Sequence, residues 1–350
     1  MVVVGLELSV EELGSLAGRC LGRPLHDLRY ISGGRNNRVA RAESAAGPVL
    51  VKSYFHDPED SRDRLGSEFE TLQLLWRSHL RCIPEPLACD HEGRVAVYEF
   101  VDGRPGSEVV IQRNDVFALA DFLNDMAGCC RIPAFADRPC ASDACFSLMD
   151  YLRTVERRLI RLERMAESVD FEQFKLDLFL ENEFRPVFAE IKDRVCALSN
   201  LNLNLTLSER ILSPSDHGFH NAIKRADGRW IFVDFEYAGW DDPAKMLADA
   251  CLHPGVPIPP FLRESFIERV LSFWDKDGRL GDRLRVVYPL VGLKWCLIIL
   301  NEFVPVSSKR RVFAEQLLVS PQHRWRQLEM ARQKLNEVIQ NIHGKSWIPS

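Results

Sequence analysis

The chain changes its periodicity once, near residue 100, and that change constrains its fold more than any other feature. Up to about Phe100, short β-type runs surround a single helical stretch. From residue 109 onward the pattern is helical, broken by one hairpin across residues 219–233. Helical periodicity is read over 109–127, 151–166, 171–198, 244–251, 260–274, 284–303 and 322–342, with a loop rich in Pro, Asp and Cys over 133–147. There is no internal repeat and no low-complexity tract. The expectation is an α+β protein with a small sheet-rich part, residues 1–103, and a large mostly helical part, residues 104–350. At 350 residues the chain can bury a sizeable core in each.

Composition narrows the function classes. A formal net charge of −5 gives no sign of a nucleic-acid surface, so no nucleic-acid partner is expected. The ten cysteines include no Cys-x-x-Cys pair, and only Cys129, Cys130, Cys140 and Cys145 cluster. They read as small core residues of a reducing compartment rather than as zinc ligands or disulfides. The start, Met1-Val2-Val3-Val4-Gly5, lacks a basic segment and a long apolar core, and Ser9 with Glu12 forms a capping box instead. The most apolar stretch, 286–300, is interrupted by Pro289 and Lys294, so a buried helix is expected rather than a membrane span. These features together read as a cytoplasmic protein.

The chemistry is concentrated in Ser215-Asp216-His217-Gly218-Phe219-His220-Asn221 and in Val233-Asp234-Phe235-Glu236. An Asp is followed five residues later by an Asn, and thirteen residues after that by a second Asp. Kinase-type phosphoryl transfer needs such a set. One carboxylate holds the acceptor hydroxyl; an amide oxygen and another carboxylate hold Mg²⁺, a hard cation that takes oxygen ligands. Asp216 fits the first role, Asn221 and Asp234 the second. A positioned base contributes about 10²–10⁴ in rate. Locally, 219–223 reads as a short strand, Asp227-Gly228 as its turn and 230–233 as the apolar return, so a hairpin brings Asn221 and Asp234 to one end. Each of these residues alone is a common turn former; the full spacing is what favours the chemical reading. His217 and His220 read as hydrogen-bonded scaffold, and His253 has no assigned role.

A kinase also needs a lysine on a strand and a glutamate on a helix to orient it. Lys52 stands at the centre of a strand-like run, 49–55. The helical run over 60–76 puts Leu65, Phe69, Leu72, Leu75 and Trp76 on one face, and Glu68 lies within that stripe. A carboxylate on an inward face needs a partner, and Lys52 is the natural one. Upstream, Gly33 and Gly34 lie between two strand-like runs, where backbone N–H groups could approach phosphate oxygens; an ordinary tight turn reads the same by itself.

The segment 213–249 resembles the catalytic core of the aminoglycoside phosphotransferase and choline kinase superfamily, which places a protein-kinase-like bilobal fold on small molecules. The likeness runs in order over 31–303 and is specific around Lys52, Glu68, Asp216, Asn221 and Asp234. The family's usual His-Gly-Asp is replaced here by Pro214-Ser215-Asp216, so the preceding His is absent. Tyr237-Ala238-Gly239-Trp240-Asp241-Asp242-Pro243 also follows the family, and Asp242-Pro243 is a helix cap with Pro at the first helical position. The resemblance implies a hinge over 94–105 whose backbone at Glu99 and Val101 bonds the base of ATP or GTP. It implies Mg²⁺ as cofactor and a small hydroxylated acceptor: a sugar, an amino sugar or an amino alcohol.

Two other readings use the same residues. One is a non-catalytic nucleotide-binding regulator, opposed by the intact Lys52, Asp216, Asn221 and Asp234. The other is a protein kinase, opposed by the lack of an Ala-Pro-Glu element and by the seven residues between Asp234 and Asp242, too few for a peptide-docking segment.

Overall fold

The computed structural model describes residues 8–31, 37–56, 62–164, 171–198, 204–304 and 321–343. Gly33, Gly34 and Arg35 lie outside the described residues. The first helix, α1 (Val10–Leu21), opens on the Ser9/Glu12 capping box. Then come strands β1 (His26–Tyr30), β2 (Arg38–Ser44) and β3 (Gly47–Ser53), helix α2 (Arg64–Arg77), and strands β4 (Pro86–Asp90) and β5 (Val95–Glu99). The five strands form one antiparallel sheet in the order β1-β2-β3-β5-β4.

Strand alternation decides what each face of this sheet carries. Val49, Val51, Val95 and Val97 pack with Leu13 and Ala17 of α1 in a small core. Ala96 and Tyr98, on the opposite face, join Leu65, Phe69, Leu72 and Leu75 of α2. Lys52 lies out of phase with Val49 and Val51, so it is carried on the α2 face. On α2, Glu68 is buried in the same stripe as the apolar residues, and Asp63 caps the helix by accepting from Gly66 N–H at 2.8 Å.

Beyond residue 100 the chain is mostly helical: α3 (Arg113–Cys129), α4 (Leu148–Glu163), α5 (Phe171–Phe179), α6 (Arg185–Ala197), α7 (Pro243–Leu252), α8 (Pro260–Trp274), α9 (Arg279–Ile299) and α10 (Pro321–His343). Helix α9 lies against α4, α7 and α10 and is buried along almost its whole length. The stretch Arg279–Phe303 is long and apolar enough to cross a membrane, yet 83% of its most apolar window is buried inside the protein. The fold is the protein-kinase-like α+β type, with a small sheet-rich lobe and a large helical one.

Small pairings hold the loops that matter. Strand β6 (Arg104–Pro105) pairs with β8 (Ala222–Lys224), which pairs with β9 (Trp230–Phe232); β7 (Ile211–Ser213) pairs with β10 (Gly239–Asp241). Three elements differ from the sequence reading. Residues Phe219–Asn221 form a 3₁₀ turn rather than the start of a strand, because Asn221 N–H bonds back to Gly218 C=O at 3.1 Å. Helix α3 starts at Arg113 and not at 109, because Gln112 is its N-cap: the Gln112 N–H donates to the Asp115 carboxylate at 2.9 Å, and that carboxylate is held from outside by Trp230 Nε1 at 2.9 Å. The run 171–198 contains a π turn at Leu180–Phe184, one turn before Pro186, which lacks the N–H that a continuous α-helix would use.

Candidate active site

Lys52 is the meeting point of the two lobes. Its Nζ donates to Glu68 Oε2 at 2.7 Å and to Asp234 Oδ1 at 2.6 Å, and the lysine is 5% exposed. Tyr54 OH donates to the same Glu68 oxygen at 2.7 Å, and Tyr54 and Tyr98 share a hydroxyl contact of 2.7 Å. Burial alone would lower the Lys52 pKa, but the carboxylates of Asp234, Glu68 and Glu236 raise it above its ordinary value and keep the ammonium charged. Asp234 feels the opposite imbalance. Burial, with Glu236 and Glu68 nearby, pushes its carboxyl upward against the pull of Lys52. Carboxylate charge is in excess here, an environment suited to a cation.

A further layer joins the lobes behind Lys52. Asn37 Nδ2 donates to Glu236 Oε2 at 2.7 Å, and Asn37 Oδ1 accepts from Phe55 N–H at 3.1 Å. Arg64, in the first turn of α2, lies 3.1 Å from Glu236 Oε1 and donates to Tyr237 OH at 2.8 Å. Glu236 stands two residues after Asp234, so the metal-candidate segment is tied to both β2 and α2. The sequence reading did not include this layer. Glu236 stood inside a quoted motif and Asn37 three residues after Gly34, but nothing in their spacing signals a contact across 199 residues.

Asn221 and Asp234 stand together at the open end of the β8–β9 hairpin, where Val233 N–H bonds Asn221 C=O at 2.9 Å. Asn221 Nδ2 donates to the backbone carbonyl of Asp216 at 2.8 Å. That bond fixes the amide orientation and leaves Oδ1 without a partner among the described residues. Asp234 uses Oδ1 for Lys52. Two hard oxygen donors of this type fit Mg²⁺. Asp234 and Ser215 both have φ +67°, a left-handed conformation rarely adopted by non-glycine residues and costing about 1–3 kcal/mol each. Two of the six non-glycine residues with positive φ among the described residues thus flank the site: one carries the candidate metal carboxylate and the other precedes Asp216.

Asp216 is surrounded by histidines. His220 Nε2 is hydrogen-bonded to Asp216 Oδ1 at 3.1 Å, and His253 Nε2 lies at the same distance from the same oxygen. Burial pushes the Asp216 pKa up, but the contacts with His220 and His253 outweigh it and hold the carboxyl well below the usual range. His217 points into the core instead. It is 4% exposed, neither ring nitrogen has a hydrogen-bond partner, and burial pushes its pKa down to about 4. His253 ends α7, 37 residues from Asp216, and no sequence signal links the two.

The connection between lobes is tied to the hairpin. Glu99 N–H bonds Glu85 C=O at 2.8 Å, and the Glu99 carboxylate pairs with Arg225 at the hairpin turn. Val101 is 8% exposed, and neither its N–H nor its C=O bonds another described residue. A peptide group with no partner among the described residues suits a flat ligand edge that hydrogen-bonds. Asp242 caps α7 by accepting from Ala244 N–H at 2.8 Å. The small lobe and the large lobe therefore meet at Lys52 and Asp234.

Comparison with known proteins gives a family and a fold. A model described as the phosphotransferase enzyme family matches residues 27–281. No curated protein sequence matches. Among solved structures, a spectinomycin phosphotransferase in complex with ADP and spectinomycin aligns with a TM-score of 0.64 at 12% identity, covering 95% of this chain and 98% of that one. A Plasmodium vivax ethanolamine kinase gives 0.58 at 15% identity, covering 91% and 82%. A choline kinase from Streptococcus pneumoniae gives 0.57 at 16% identity, covering 93% and 97%. At these identities the structural likenesses speak for the fold.

Proposed function

The chain belongs to the phosphotransferase enzyme family, and from that premise we propose that it moves the γ-phosphate of ATP or GTP to a hydroxyl of a small molecule. The acceptor class we propose is a sugar, an amino sugar or an amino alcohol. The observation that carries the reading is Lys52, bridged to Glu68 of the small lobe and Asp234 of the large lobe at 2.7 and 2.6 Å.

Residues 1–103 would form the nucleotide-binding lobe ending in the hinge, and residues 104–350 the catalytic and acceptor-binding lobe. Lys52, oriented by Glu68, would meet the phosphates, with the backbone at Val101 and at Glu99 meeting the base. Asn221 and Asp234 would hold Mg²⁺, which when bound supplies positive charge to the phosphate oxygens. Asp216, ionised and weakly basic, would accept a hydrogen bond from the acceptor hydroxyl and aim it. A weak base suits a loose transition state in which the proton leaves late. All ten cysteines are free thiols, which suits the cytoplasm as its compartment.

The test is release of ADP or GDP by the full chain with MgCl₂ and a panel of sugars, amino sugars and amino alcohols, with Asp216→Asn as control. Turnover on one acceptor class, lost by about 10²-fold or more in the control, is expected. Nucleotide binding without turnover on any acceptor would favour the regulatory reading instead.

A further inference from the structure

His253 reports its own tautomer. Its Nδ1 accepts the N–H of Gly255 at 2.9 Å. A ring nitrogen that accepts carries no proton, so the neutral ring holds its proton on Nε2, the atom 3.1 Å from Asp216 Oδ1. Burial and the neighbouring His220 push the His253 pKa down to about 4, so the neutral form is the working one. In His220 the other nitrogen, Nδ1, is buried with no hydrogen-bond partner. A proton there would be a buried orphan, so His220 also keeps its proton on Nε2, where Asp216 Oδ1 receives it at 3.1 Å.

The two rings are held as a unit. They stack with centroids 3.5 Å apart and planes within 1°. Trp295 closes on His253 edge-on at 4.4 Å and is itself anchored through Nε1 to Asp249 Oδ1 at 2.8 Å. Gly255 seals the side: a Cβ there would come within 2.9 Å of His253 Cε1 and 3.0 Å of His220 Cβ.

The three ligand atoms of Asp216, His220 and His253 lie within 4.8 Å of one another, as a metal site would require. Two features oppose that use. Parallel stacked rings aim their Nε2 atoms side by side rather than at one point. A metal on His253 Nε2 would also force its proton onto Nδ1, against the N–H of Gly255.

We propose that His220 and His253 are positioning residues, which occupy Oδ1 of Asp216 with N–H groups and leave Oδ2 as the atom that receives the acceptor hydroxyl. His220 is the aligned donor; His253 holds the stack and adds a second N–H at the same distance, less well aligned. The proposal rests on the phosphotransferase reading for the role of Oδ2, but the donor arrangement can be tested apart from it.

The first measurement is long-range ¹H–¹⁵N correlation on the ¹⁵N-histidine-labelled full chain at neutral pH, with His220→Gln and His253→Gln giving the assignments. Nε2–H tautomers for both rings are expected. An Nδ1–H tautomer at either ring, or displacement of both Nε2 signals by micromolar ZnCl₂, overturns the arrangement. The second measurement is MgATP turnover, with water as acceptor and with any acceptor found active. Asp216→Asn, His220→Leu and His220→Gln are compared after a thermal melt confirms folding. His220→Leu should lower kcat by about 10–100-fold with the KM for ATP within about twofold, and His220→Gln, whose amide N–H reaches the same oxygen, should recover part of the loss. Asp216→Asn inactive while His220→Leu matches the unmodified chain overturns the positioning role alone. Asp216→Asn fully active overturns the function reading, and the tautomers still decide the donor arrangement.

Discussion

Gly106→Ala should disable the site from outside it. Gly106 follows β6 and lies against the loop that carries Asp216: a Cβ built on it comes 1.9 Å from the carbonyl oxygen of Phe219 and 2.8 Å from its carbon. To reach the 3.4 Å of an ordinary contact, that carbonyl has to retreat by about 1.5 Å. It has little room. Phe219 is fully buried, its ring is 5.0 Å from that of Trp230, and Trp230 Nε1 is held by Asp115 at 2.9 Å. The peptide that moves leads into His220 and Asn221, which touch Asp216. A misplacement on the order of 1 Å in such a loop costs about 10² in rate, and overpacking costs about 1–3 kcal/mol of stability. The expected result is a kcat lower by about 10²-fold, a Tm lower by about 1–4 °C, and an ATP affinity within about threefold, because Lys52 and Val101 stay in place. Steady-state kinetics, a thermal melt and nucleotide titration check the three. A variant with kcat within twofold of the unmodified chain and an unchanged Tm would refute the claim that this close approach fixes the loop.

Lys52→Met removes the cation shared by Glu68 and Asp234; turnover should fall by about 10²-fold or more, and the uncompensated buried carboxylate should cost about 3–5 kcal/mol in a denaturant titration. Full turnover in that variant would contradict the phosphate role. Asn37→Ala takes one donor from buried Glu236 and the acceptor from Phe55 N–H, so the urea midpoint should fall by an amount equivalent to about 1–3 kcal/mol; an unchanged midpoint would show that the layer behind Lys52 adds nothing. His217 has a folded pKa of about 4, below the ordinary 6.5, so the unfolded chain takes up the proton first as pH falls. Its stabilising contribution is complete above pH 6.5 and is lost between 6.5 and 4. His217→Leu, which removes two unpartnered nitrogens, should abolish about 3 kcal/mol of that pH dependence in unfolding titrations at pH 4 and pH 7, and an identical slope in both proteins would refute the assignment.

The sequence by itself determined the fold class, because the switch from strand to helix periodicity leaves few ways to bury both kinds of face. It also put Asp216, Asn221 and Asp234 at spacings that a loop and a hairpin bring together. Local codes were legible too. Glu68 fell in the apolar stripe of its helix, and Ser9 and Asp242 read as caps, since each depends only on neighbours two to four residues away. Tertiary structure alone decided the rest. That Glu236 meets Asn37 and Arg64, that Gly106 presses on Phe219, and that His253 reaches Asp216 follow from how separate elements dock. Such contacts join positions tens to hundreds of residues apart, and no periodicity encodes them. The 3₁₀ turn at Phe219–Asn221 is local by contrast: the backbone N–H of Asn221 is claimed by the Gly218 carbonyl at 3.1 Å and so is not free for a strand ladder.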